Sequence, residues 1–169
     1  MKFGKLETLE GFPDGGFALP GDAPVTGRVL SGEGRPWNVR CGGTMWTVRA
    51  WRGSVFNGVP QRAWPEAYGR AFGTIEFNAT HYRIHPADRM AEWAAGMPEH
   101  FRFCAKFPQI ITHFRRFANC EGPTADFIDG LVALGERRGP SFIQLPPNYG
   151  PNKGQALLDY LGQWPRDLE

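Results

Sequence analysis

Apolar and polar residues alternate along four short stretches of this chain, at residues 39–42, 74–78, 101–106 and 141–145, and each stretch reads as a β-strand. Between and after them, apolar residues recur at helical spacing, which predicts helices over 61–72, 86–95, 124–137 and 153–163. Proline and glycine punctuate these runs. Pro86 suits a first helical turn, Gly96 and Gly139 follow helix ends, and Pro123-Thr124 offers a cap for the third helix. Pro65 lacks an N–H, so the first helix must begin near Ala63.

Strands that alternate with helices imply βα units and a parallel sheet. The predicted strands start at 39, 74, 101 and 141, spacings of 35, 27 and 40 residues, against roughly 31 per unit in an eight-unit barrel. The fold class expected is therefore α/β, a TIM-barrel-like (β/α) repeat of about four units, a partial barrel over residues 37–169. Residues 1–36, rich in Gly, Pro and Asp, are expected to form an irregular N-terminal arm. Four parallel strands leave two unpaired edges. Self-association, or a partner that supplies a missing C-terminal half-barrel, is the corresponding expectation.

The alternation also sorts the strand side chains. Ile75 and Phe77, Phe103 and Ala105, and Ile143 and Leu145 form the apolar set that should face the helices. That leaves Glu76, Asn78, Lys106 and Gln144 pointing inward near the carboxyl ends of three strands, the end where barrel enzymes work. Glu76 and Lys106, on neighbouring strands, are expected to form a hydrogen-bonded pair, because burying either charge alone is expensive. The loops after the strands add Trp46, whose ring can stack on a ligand, then Tyr82 and Arg83, and finally His113, which can serve as a general base. His81 and His85 are expected on the surface, and Trp64, Trp93 and Trp164 in the core.

Composition narrows this only slightly. The 169 residues carry a formal net charge of +2, too little to indicate nucleic acid, which normally requires a clustered basic face. Three cysteines, at 41, 104 and 120, form no metal-type spacing and no even disulfide set, which fits a reducing cytoplasm. No run approaches the length of a membrane span. The sequence commits to no metal and to no particular cofactor.

The runs Trp46 to Gly53, Glu76 to Tyr82, Phe103 to Pro108, Ile111 to His113 and Phe142 to Pro147, in that order, resemble domain-of-unknown-function family 72, the YecE-like family. The resemblance covers about residues 38–169. It implies a TIM-like barrel whose polar positions fall on Trp46, Glu76, Asn78, Tyr82, Lys106, His113 and Gln144, and it implies no established reaction. It also implies further strands beyond Glu169, with a Glu-x-Arg motif and later Tyr and Arg positions. If those residues complete the site, this chain alone is expected to be inactive. The leading expectation is a barrel enzyme, of hydrolase or isomerase type, acting on a phosphate-bearing or otherwise anionic small molecule. Glu76, Lys106 and His113 would be catalytic, and Trp46, Asn78, Tyr82, Arg83 and Gln144 would bind substrate. The alternatives are a non-catalytic module that stacks a ligand or nucleic acid on aromatic rings, and an inactive fragment.

Overall fold

Only two of the four alternating stretches become laddered strands. The computed structural model describes residues 39–166 and Leu168, with Pro24, Thr26 and Gly27; the arm expected over 1–36 otherwise lies outside the described residues. β1 (Thr74–Phe77) and β2 (Arg102–Ala105) pair in parallel, with Thr74 opposite Arg102 and Phe77 opposite Ala105. Burial alternates along both: Ile75, Phe77, Phe103 and Ala105 are buried and their neighbours half-buried, as the pattern of apolar positions predicts.

The other two expected strands lie in place without forming full ladders. On one side, Gly73 N–H donates to Cys41 O (3.1 Å) and Glu76 N–H to Gly43 O (3.0 Å). The bond between them is interrupted by Tyr68. Its hydroxyl accepts from Gly43 N–H (2.5 Å) and donates to Thr74 O (3.0 Å), standing where a direct ladder bond would run. Burial pushes the Tyr68 phenol above its usual value of 10.0, offset in part by the Gly43 bond. On the far side of β2, Arg138 pairs with Phe103 and Phe142 with Lys106 as isolated parallel bridges. Four residues separate the first pair from the second on one side and three on the other, so the segment bulges, and Pro140 has no N–H to give the ladder there.

The helices follow the predicted ranges closely. α1 (Trp64–Ala71) starts after a 3₁₀ turn at Gln61–Ala63, with Ala63 as N-cap and Pro65 in the first turn. α2 (Ala79–Tyr82) is a single turn that directly follows β1, in a stretch expected to be loop. α3 (Ala87–Ala95) runs from Pro86 as N-cap to Gly96 as C-cap. α4 (Glu121–Ala133) begins three residues earlier than the predicted cap, with Cys120 as N-cap; Pro123 falls in the first turn, where its missing donor costs nothing. α5 (Gly154–Gly162) follows a 3₁₀ turn at Pro151–Lys153. The largest interhelical contact joins α3 to α4, and Gly130 lets them close, since a Cβ there would lie 3.3 Å from His85 O and from the Met90 side chain.

The core is dominated by aromatic rings. Phe56, Trp64, Tyr68, Phe101, Phe103 and Phe127 are among its fully buried side chains. Phe56 stacks on Trp64 at 4.6 Å between centroids and Phe77 meets Phe103 edge-on at 5.0 Å, geometries that add to the area they bury. Trp93 and Trp164 pack against this cluster, so all three tryptophans expected in the core belong to it. The described residues include no helix long and apolar enough to cross a membrane.

Candidate functional site

At the carboxyl ends of β1 and β2 lies a cleft of about 440 Å³ lined by Trp46, Glu76, Asn78, Tyr82 and Lys106, together with Thr44 and Met45. Five of the eight side chains singled out from the sequence therefore share one space. The strand ends explain this grouping: Glu76 and Lys106 stand on the half-buried face of adjacent parallel strands or their extensions, and Asn78 follows two residues after Glu76.

Asn78 holds the carboxylate. Its Nδ2 donates to Glu76 Oε1 (3.0 Å) and to Thr44 O (3.4 Å), linking β1 to the segment before Trp46. The expected Glu76–Lys106 pair is not formed. Among the described residues the ion pairs are Arg70–Glu66 and Arg89–Glu92, both on helix surfaces. Lys106 instead places its ammonium 5.9 Å from the centroid of the Phe142 ring, at the outer limit of a cation–π contact. Because the amide satisfies Glu76 and both charged groups are only half-buried, desolvation does not drive them together.

Trp46 is anchored from behind, its ring 5.3 Å from Phe77, 6.0 Å from Trp93 and 6.1 Å from Phe103. Tyr82 is the opposite case, 72 % exposed at the rim. Arg83 and Gln144 are exposed and do not line the cleft. Gln144 departs from its expected inward placement because the bridge at Phe142 is the last to β2, so strand alternation does not extend to it.

The unforeseen residue is His81. Expected on the surface, it is 7 % exposed, with Nδ1 2.8 Å from Phe107 O. Thr80 beside it donates to Phe77 O and Lys106 O, both at 2.8 Å, stapling α2 across the ends of β1 and β2. The signal was present in the apolar-poor run Asn78-Ala79-Thr80-His81, whose short polar side chains close a turn against carbonyls freed at a strand end. The His113 ring sits 5.1 Å from that of His81, and its Nδ1 is 2.8 Å from Thr112 Oγ1. Burial, then the charges of His81 and Lys106, lower the His113 imidazole below its usual 6.5, which favours the neutral, proton-accepting form near pH 7. His113 stands on a π-turn, Ile110–Phe114, closed by Arg115 N–H to Ile110 O (3.0 Å). Such turns often mark functional positions. No group of three or more His, Cys, Asp or Glu that would hold a metal occurs among the described residues.

A family model described as "Protein of unknown function DUF72" matches residues 40–169. The chain belongs to that family. It is 30% identical over 124 residues to the UPF0759 protein YecE of Escherichia coli strain K12, a match covering 68% of this chain and 46% of YecE. The same figures hold for YecE of Escherichia coli O157:H7. Two crystal structures of a DUF72 family protein from Enterococcus faecalis V583 share the fold, with TM-scores of 0.59 and 0.54 at 22% and 20% identity, over 75% of this chain and 48% and 49% of theirs. This chain thus spans about half the length of the DUF72 relatives it matches. The mixed α/β fold described above is shared with those structures, and the cleft residues lie within the matched range.

Proposed function

We propose that the cleft is the ligand site of a barrel-type enzyme, of hydrolase or isomerase class, acting on a small molecule that carries a phosphate or other anionic group. The supporting observation is that Lys106 lines the same cleft as Glu76 without pairing with it, so its ammonium can neutralise charge on a ligand. Glu76, oriented by Asn78, is positioned to accept a proton, and His113, which does not line the cleft itself, offers a second proton-transfer group. Trp46 and Tyr82 supply the apolar walls. Arg83 and Gln144 would meet only a substrate that extends beyond the cleft. The order of the segments 41–43, β1, β2 and 138–142, all parallel, supports reading the sheet as the first half of a (β/α) barrel.

Calorimetric titration with a panel of sugar phosphates, with inorganic phosphate as the smallest probe, tests this reading. Saturable binding is expected, weakened by salt and weakened about tenfold or more, about 1.4 kcal/mol, by Lys106→Ala. Equal affinity in the variant, or no saturable binding in the parent chain, overturns it. Glu76→Gln should keep the affinity and remove any turnover.

The exposure of Tyr82 favours a second reading, a module that binds a base or sugar by stacking and releases it unchanged. Under that reading Trp46→Ala weakens binding more than Glu76→Gln does, and no product forms.

We also infer that the chain works as an assembly in the cytoplasm, where its thiols, all unpaired among the described residues, stay reduced. The outer edge of segment 138–143 is the surface we assign to that contact. There, a groove of about 940 Å³ is lined by Phe107, Leu131, Ile143, Leu161 and Trp164. Its occupant is taken to be a second copy, because the parallel edge beyond the bridges at Arg138 and Phe142 carries no further strand among the described residues and can pair with the same edge of another molecule.

A further inference from the structure

At the strand ends the chain gathers three nitrogen groups able to carry positive charge, one of them a wall of the cleft. Lys106 comes from the end of β2, His81 from α2 and His113 from the π-turn. Their relative placement is fixed by backbone anchors. Thr80 Oγ1 holds Lys106 O, and His81 Nδ1 holds the next carbonyl, Phe107 O. That second bond makes Nδ1 the protonated nitrogen of a neutral His81 and leaves Nε2 able to accept. The His113 ring stands nearly perpendicular to that of His81, at 75° and 5.1 Å.

The other charged groups nearby are engaged elsewhere or stand apart. Arg115 donates to Asn119 O and Arg116 to Asn148 Oδ1 (3.2 Å). The Glu76 carboxylate accepts from Asn78. Arg83 follows α2 as an exposed C-cap. Facing His113, then, are two cationic or potentially cationic groups; burial first, and then the charges of both, lower its proton affinity.

We propose that Lys106 and His113, with His81 holding the His113 ring, form a proton-gated oxyanion subsite beside the cleft, which binds a doubly charged group such as a phosphate or sulfate more tightly once His113 takes up a proton. This rests on the reading of the cleft as an anion site and adds its ligand class and its control. In the empty site a proton on His113 is opposed by its neighbours. A bound dianion reverses the sign of the local field, so that ligand binding and proton uptake favour each other, and the coupling must be reciprocal. His81 acts through His113 as a positioning residue, fixing its ring and its charge environment.

Sulfate is the probe, because it stays a dianion throughout the range in which histidine titrates. Titration calorimetry at about pH 7.5 and about pH 5.5 should show affinity rising several-fold, up to about tenfold, as pH falls, with proton uptake on binding visible from the dependence of the heat on buffer ionisation enthalpy. In His113→Asn the two affinities should converge. In His81→Phe, which keeps a ring but not a charge, the His113 midpoint followed by NMR should move up towards 6.5. In the unmodified protein, added sulfate should raise that same midpoint, a readout that needs no variant to fold. Saturable binding with equal affinity at both pH values overturns the gating while leaving the anion-binding cleft intact. Absence of sulfate binding at both pH values overturns the gating and the cleft reading together.

Discussion

At the scale of single residues, space and charge make opposite demands that can be measured separately. Gly42 runs so close to β1 that a Cβ would lie 1.8 Å from Thr74 O, a backbone atom with no freedom to give way. Gly42→Ala should therefore displace the segment leading to Trp46 and cost about 1–3 kcal/mol in urea unfolding. Gly122 has open space around the same hypothetical atom and lies in the first turn of α4. Gly122→Ala should stabilise by up to about 1 kcal/mol, so the two alanines should shift the midpoint in opposite directions. For charge, His85 gives the measurement. Burial, chiefly, with Arg83 and Arg89 nearby, holds it below 6.5, outweighing a backbone bond to Ala79 that pulls the other way. A base whose folded pKa is depressed binds fewer protons folded than unfolded between the two values. Its stabilising contribution is thus complete above 6.5 and is lost as pH falls towards the folded value. Melting temperature should fall between about pH 7.5 and about pH 5, and fall less in His85→Gln, while a parallel pH dependence in the variant would exclude this histidine as a cause.

At the scale of elements, Tyr68 decides how the first segment joins the sheet. Tyr68→Phe would leave Gly43 N–H and Thr74 O without the hydroxyl that bridges them, at a cost of about 1–3 kcal/mol. Because the same segment carries Thr44, whose carbonyl receives Asn78, the variant should also loosen Glu76 and weaken anion binding. Hydrogen exchange at Gly43 reads the first effect and calorimetry the second. This bond explains why the sequence showed a strand at 39–42 where the structure has an interrupted one: the intruding hydroxyl lies 25 residues away, beyond any local pattern. The helices were legible because their signals are local, with Pro65, Pro86 and Gly96 each acting within a turn of its own position. The carboxyl-end cluster of Glu76, Asn78 and Lys106 was legible too, since strand alternation places these residues without knowledge of their partners. What alternation cannot foretell is competition among partners. The pairing of Glu76 with Asn78 rather than Lys106, and of His81 with Phe107 O, depends on which partner lies within reach in three dimensions. The segment after the π-turn was equally silent. Arg116, Phe117 and Asn119 adopt φ of 50°, 69° and 52°, and for a bulky residue such as Phe117 this is strained backbone. Phe117 is repaid by burial among Tyr149 and Tyr160, whereas Asn119 is exposed. Asn119→Gly should therefore be neutral to slightly stabilising, within about 1 kcal/mol.

At the scale of the molecule, the unpaired edge matters more than the site. The described sheet stops at the two bridges of segment 138–142; past them lies the apolar groove, with Leu161 on α5 45% exposed beside it. Two of the arginines that line it are tied to the chain, Arg40 Nε donating to His100 O and Arg102 Nη1 to the carbonyls of Glu99 and Phe101. An open parallel edge backed by exposed leucine invites another chain. Light scattering coupled to size exclusion should accordingly report a mass above the 18.9 kDa of one chain, at about 50 µM and falling on dilution as mass action requires. Leu161→Glu introduces a charge at a position exposed enough to tolerate it in the folded monomer, so circular dichroism should be unaltered while the mass returns to that of a single chain. Cooperative unfolding of a strictly monomeric parent would show instead that the groove is closed without a second copy, and would remove the assembly reading while leaving the cleft at the strand ends untouched.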